Sequence, residues 1–213
     1  MRLYLVRHGE TSYNKKGCYY GVTDAGLSEK GMAQAREVGR MLEGLSFQQV
    51  ISSPLLRARD TARLLLEEAG IKADLSAEES LNSLIRPDDR LMEQDFGVFE
   101  GRTYGQLQEE FPLELEAWNK DFSFYRIPEG ESFRDVRDRV DAFCRDLISL
   151  STTESMRKAS VLITAHKGTF GHMLASLLSM PLEGYWNFVF EQGCYSVVDL
   201  EDGYAIIRSL NRT

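Results

Sequence analysis

Short apolar runs that break abruptly into polar residues and then into helical periodicity constrain this chain most. Leu3-Tyr4-Leu5-Val6 stops at Arg7-His8-Gly9-Glu10-Thr11, and Ser160-Val161-Leu162-Ile163-Thr164 stops at Ala165-His166-Lys167-Gly168. Each run reads as a buried strand that hands over to a loop and a helix. A parallel strand ending this way delivers its polar residues to the carboxyl edge of the sheet, where open α/β proteins bind their ligands. The expected architecture is therefore α/β, a three-layer sandwich with a mostly parallel central sheet and helices on both faces.

The rest of the chain fits that plan. A helix starts near Ser28, a good N-cap, and carries Met32, Ala35, Val38 and Leu42 at three-to-four spacing up to Gly44. Val50-Ile51 reads as a second strand, followed by Ser53 as a cap, Pro54 at the first helical position and a helix from Leu55 to Ala69 that holds Arg57 in its first turn. Ala73 to Leu75 is a candidate third strand. From Leu81 to Gly130 the pattern turns irregular, with short helical pieces at Tyr104 to Glu110 and Leu113 to Asn119. This reads as an insertion, about 81–130 within one domain of 1–213, that covers the active-site edge. Gly130-Glu131-Ser132 opens a long amphipathic helix through Phe133, Val140 and Leu147, and another helix runs from about Thr169 to Met180. Two final strands, Cys194 to Leu200 and Tyr204 to Leu210, are joined by an Asp-Gly turn.

Three strand ends thus carry candidate anion ligands: Arg7 and His8, Arg57, and His166. In a parallel sheet with right-handed crossovers they converge on one edge. Arginine forks match phosphate oxygens, and helix N-termini add amide donors, so a phosphoryl group is the expected guest. With a net charge of −8 the chain must bind it through a local arginine pocket, and neither nucleic acid nor a membrane surface is the expected partner. Two histidines beside a phosphoryl group suggest that one is a nucleophile and that the other, protonated, donates to the oxygens where charge collects. A leaving alkoxide also needs a proton, and Glu93 in Leu91-Met92-Glu93-Gln94-Asp95-Phe96-Gly97 is the chosen donor, since apolar neighbours favour a protonated carboxyl.

Four blocks carry a resemblance: Arg7-His8-Gly9-Glu10-Thr11-x-x-Asn14, Ser52-Ser53-Pro54-Leu55-x-Arg57-Ala58-x-x-Thr61-Ala62, Glu93-x-x-Phe96-Gly97-x-Phe99-Glu100-Gly101 and His166-x-Gly168. In this order they resemble the histidine phosphatase superfamily, which includes phosphoglycerate mutase. The resemblance implies a phosphoglycerate mutase-like fold, His8 as the phosphorylated nucleophile and Glu93 as proton donor. Arg7, Asn14, Arg57 and His166 would hold the phosphoryl group, with no metal and no cofactor. Met180-Pro181-Leu182-Glu183, Trp186, Phe188 and Gln192-Gly193-Cys194-Tyr195-Ser196-Val197-Val198-Asp199 are similar to the α-ribazole phosphatase subfamily. The implied substrate is a small phosphorylated metabolite, a nucleoside-like one among the candidates. Rival readings are a broad-specificity phosphatase, a mutase and a non-catalytic phospho-ligand module; the last has no need of His8 or Glu93.

The absence of a basic leader or an apolar span leads to an expected cytoplasmic location, and Cys18, Cys144 and Cys194 are expected as reduced thiols. The sequence assigns no oligomeric state. His172 is read as a helix-face residue, and Asp95 and Glu100 as solvated loop carboxylates. Lys15, Lys16 and Lys167 either steer an anion or are surface charge. Trp118, Phe122, Phe124 and Tyr125 are read as core of the insertion rather than substrate wall.

Overall fold

The structure, a computed structural model, describes residues 1–70 and 81–213. Its strands β1 (Arg2–Arg7), β2 (Gln49–Ser52), β3 (Ile85–Pro87), β4 (Ser160–Ala165), β5 (Tyr195–Glu201) and β6 (Tyr204–Arg212) form one sheet in the order β3-β2-β4-β1-β5-β6. The first four of that order run parallel, while β5 pairs antiparallel to β1 and β6 antiparallel to β5. The helices are α1 (Ser12–Lys16), α2 (Glu29–Met41), α3 (Leu56–Glu68), α4 (Leu81–Leu84), α5 (Tyr104–Glu110), α6 (Pro112–Lys120), α7 (Phe133–Ser151) and α8 (Lys167–Leu177).

Alternation along the strands builds the three layers. Leu3, Leu5, Val161 and Ile163 face one side and meet Val140 and Phe143 of α7 and Phe170 and Leu174 of α8. Tyr4, Val6 and Leu162 face the other and meet Val38 of α2 and Leu65 and Leu66 of α3. A slip by one residue would exchange these faces, and each fully buried aliphatic side chain resists it by about 1.5–3 kcal/mol. α7 starts where the sequence places it: Ser132 Oγ accepts from Asp135 N at 3.2 Å, and the Asp135 carboxylate accepts from Ser132 N at 2.8 Å.

Several elements differ from the sequence reading. The candidate strand at Ala73–Leu75 lies outside the described residues. β3 arises instead inside the stretch read as irregular, where Val50 pairs with Ile85; three residues are too few to show alternation. Helix α3 begins one residue later than read, with Leu55 as N-cap and no side-chain capping bond. Within 81–130, Phe99, Leu107, Leu115, Trp118 and Ile127 form their own cluster, with Phe122 and Tyr125 packed on it and Phe124 left exposed. Among the described residues no helix is long and apolar enough to cross a membrane.

Candidate active site

Because β1, β2 and β4 are parallel, their carboxyl ends open at the same edge. There the rings of His8 and His166 lie 5.1 Å apart, centroid to centroid, at 57°. Gly9 brings the β1 loop against the start of α2 so closely that a Cβ would stand 2.3 Å from the Gly31 carbonyl oxygen. The two rings are fixed by different partners. His8 Nδ1 lies 2.7 Å from the Gly9 carbonyl oxygen. A carbonyl only accepts, which assigns the proton to Nδ1 and leaves the Nε2 lone pair uncommitted. His166 Nε2 lies 2.8 Å from the Ser53 hydroxyl, which also accepts from Leu55 N at 3.4 Å. With the hydroxyl proton directed to Nε2, the His166 N–H falls on Nδ1, which is buried without a partner.

Burial, reinforced by Arg57 and Arg7, holds the pKa of His8 well below the usual range. Burial, Arg57 and His8 do the same to His166. Both imidazoles are neutral before an anion arrives. This changes the expectation of a protonated second histidine, since His166 can donate from Nδ1 as a neutral tautomer.

The arginines are held through neutral groups. Arg57, fully buried in the first turn of α3, donates to Thr23 O at 2.9 Å and Gly21 O at 2.6 Å and lies 4.6 Å over the Tyr20 ring. Arg7 donates to Phe190 O at 2.8 Å. Burial lowers the pKa of both guanidiniums, and each has a buried Nε–H without a partner. Backbone carbonyls orient these cations without cancelling their charge. Two such forks and His166 Nδ1 present donors matched to the oxygens of a phosphoryl group.

Glu93 reaches this site from the 81–130 segment. Its carboxylate accepts from Gly168 N at 3.1 Å and Gln94 N at 3.2 Å. Gly168 is required by space, since a Cβ there would stand 2.3 Å from Glu93 Oε1. Arg7, Glu93, Gln94, Phe96, Phe133, Lys167, Gly168, His172 and Tyr185 border a pocket of about 190 Å³. A larger cavity of about 450 Å³ lies at the opposite sheet edge, where Arg2 pairs with Asp199 at 2.7 Å and Arg157 with Asp202 at 2.8 Å. Arg7 Nε and His172 Nδ1, both buried without a partner, belong to residues that border the smaller pocket.

Arg139 escapes the sequence reading, and three other residues stand in surroundings it does not give them. Arg139 of α7 donates to Arg90 O at 2.9 Å, Met92 O at 2.7 Å and Glu93 O at 3.0 Å, and pairs with Glu131 at 2.9 Å. It clamps the backbone that presents Glu93. Its signal was absent from the sequence because an arginine on a polar helix edge looks like surface charge. Glu100, expected to be solvated, accepts from Gly21 N at 2.7 Å, Val22 N at 3.2 Å, Thr23 N at 3.2 Å and Phe96 N at 3.1 Å. It joins the loop that anchors Arg57 to the loop that carries Glu93. His172, read as a helix-face residue, is 1% exposed and sits between Phe133 and Tyr185. Asp95, also expected to be solvated, is half-buried and accepts from Gly97 N at 2.8 Å, with burial raising its pKa.

Asn14 lies at the third position of α1, and its side-chain oxygen accepts from Thr11 N at 3.1 Å and Gln192 Nε2 at 2.9 Å. The oxygen is thus used in capping, and any contact to an anion falls to the amide nitrogen. Lys15, Lys16 and Lys167 are exposed, with Lys167 at the pocket rim.

The clamp leads to a test. Arg139→Ala releases the Glu93 backbone, and a misplacement of about 1 Å costs about 10²-fold in kcat. Inhibition by inorganic phosphate, measured in the same assay, stays at the wild-type level because Arg7, Arg57 and His166 are untouched. Arg139→Lys does not restore the rate, since one ammonium cannot replace a planar fork of donors.

The adenosylcobalamin/alpha-ribazole phosphatase of Salmonella typhimurium is 36% identical over 211 residues, covering 99% of this chain and 96% of that protein. Phosphoserine phosphatase 1 of Hydrogenobacter thermophilus is 28% identical over 213 residues, covering 100% and 93%. The crystal structure of the alpha-ribazole phosphatase from Shigella flexneri superposes with a TM-score of 0.85 at 34% identity, covering 100% of this chain and 96% of that one. The family model described as histidine phosphatase superfamily (branch 1) matches residues 3–213, and the chain belongs to that superfamily.

Proposed function

We propose that this phosphatase hydrolyses phosphate monoesters through a phosphohistidine on His8. The observation that carries the reading is the pairing of an uncommitted His8 Nε2 with three buried nitrogens that have no partner, Arg7 Nε, Arg57 Nε and His166 Nδ1, the last a donor in the tautomer protonated there. The donors grip the equatorial oxygens while Nε2 attacks phosphorus in line, forming the N–P bond as the ester P–O bond breaks. Protonated Glu93 gives its proton to the leaving oxygen. Water then attacks the phosphohistidine, Glu93 takes the water's proton, and inorganic phosphate leaves with His8 restored. Asn14 contributes an amide N–H at the rim.

For the substrate, the full-length similarity to alpha-ribazole phosphatases and the aromatic wall beside Glu93 support α-ribazole 5'-phosphate, a small metabolite of the cytoplasm in this reading. Lys167 at the pocket rim favours a second reading, an ester bearing a carboxylate such as phosphoserine. A comparison of kcat/KM for α-ribazole 5'-phosphate, ribose 5-phosphate, phosphoserine and 3-phosphoglycerate decides between them. The first is expected to lead by about tenfold or more, as one extra buried contact of about 1.4 kcal/mol provides. Equal values across the panel, or phosphoserine leading, contradict the assignment.

A further inference from the structure

One wall of the pocket is not used by the phosphoryl chemistry. Phe133 opens α7, His172 lies midway along α8, and Tyr185 belongs to the short 3₁₀ segment Leu182–Asn187. Their rings meet, with centroids 4.3 Å apart for Phe133 and His172, 4.8 Å for His172 and Tyr185, and 4.7 Å for Phe133 and Tyr185. Gly171 admits this arrangement, since a Cβ there would stand 2.7 Å from the Tyr185 ring.

His172 is an odd residue for a purely structural place. Its Nδ1 is buried with no hydrogen-bond partner among the described residues, and a phenyl ring would fill the same space without that cost. Burial, with Arg137 and Arg139 nearby, pulls its pKa down to about 3, so the ring stays neutral, with one N–H donor and one acceptor nitrogen. Glu93 borders the same pocket, and in the reading above the departing oxygen lies beside Glu93. The alcohol attached to that oxygen must then occupy the space against His172.

We infer that His172 is a specificity-determining residue that, with Phe133 and Tyr185, seats an uncharged, ring-bearing leaving alcohol and hydrogen-bonds a heteroatom on it. The three side chains offer aromatic surface and neutral polar atoms, and unlike Arg7 and Lys167 of the same lining they carry no charge to pair with a carboxylate. At about 190 Å³ the pocket is smaller than the roughly 300–1,000 Å³ of sites for drug-sized ligands, so it takes one ring and leaves the remainder outside.

The inference rests on the phosphatase reading, and its test separates the two. Wild-type turnover of any phosphate ester, with labelling of His8, tests the chemistry alone. The selectivity ratio, kcat/KM for α-ribazole 5'-phosphate over that for phosphoserine, tests His172. In His172→Phe the ratio falls by about tenfold through a raised KM for the first substrate, and His172→Gln, which keeps an amide, recovers part of it. A ratio unchanged in both variants overturns the proposal while leaving the phosphohistidine chemistry intact.

A second measurement needs no variant to fold. In the wild-type protein, imidazole ¹⁵N signals are followed during titration with α-ribazole and, separately, with inorganic phosphate. The alcohol is expected to move the His172 signal, and phosphate those of His8 and His166. A His172 signal that stays still at saturating α-ribazole overturns the proposal.

Discussion

His8→Ala lowers the turnover of every phosphate ester by at least about 10³-fold, because no other nitrogen at the site has an uncommitted lone pair facing the donors. The variant still folds. It loses one hydrogen bond to Gly9 O, worth about 0.5–1.5 kcal/mol against a typical stability of about 5–15 kcal/mol. Arg7, Arg57 and His166 remain, so inorganic phosphate still protects the variant against thermal unfolding. Steady-state rates and melting curves with and without phosphate check this, and a variant that keeps most of its rate removes His8 from the nucleophile's role.

Glu93→Gln divides substrates by leaving group. An alkyl phosphate loses about 10²–10⁴-fold, the usual contribution of a general acid, while p-nitrophenyl phosphate loses less than about tenfold because its leaving oxygen needs little protonation. Glutamine keeps the size of the side chain and an oxygen that can still accept from Gly168 N or Gln94 N. The contrast therefore reports the lost proton rather than a collapsed loop. Equal losses on both substrates would place the acid elsewhere.

The strands and the reacting centre are legible in the sequence for a simple reason. β1 and β4 are buried on both faces, so their apolar runs are continuous, and the residues that end them stand out as His8 and His166. Arg57 is legible because it follows β2 by a few residues. Glu93 is picked out by its apolar neighbours, and the resemblance across four blocks repeats that choice and adds Asn14, which spacing alone does not single out.

What stays hidden acts through the backbone of distant segments. Arg139 reaches carbonyls of residues 90, 92 and 93, and Glu100 reaches amides of residues 21, 22 and 23; side-chain type does not disclose such partners. β3 is hidden by its length. His172 is a different case, because Phe170, Met173, Leu174 and Leu177 surround α8 with apolar residues. A helix that is apolar all round is buried, so even its histidine is enclosed. The same pattern, visible in the sequence, adds burial to the helix-face reading.

The central claim is a covalent phosphoryl group on His8 Nε2. Mixing the wild-type protein with a ³²P-labelled phosphate ester, quenching in alkaline denaturant within the first turnover and mapping the peptides tests it most directly. The account predicts label confined to the peptide containing His8, stable in alkali, lost in acid and absent from His8→Ala. Turnover without protein-bound label, or label on any other residue, would contradict it.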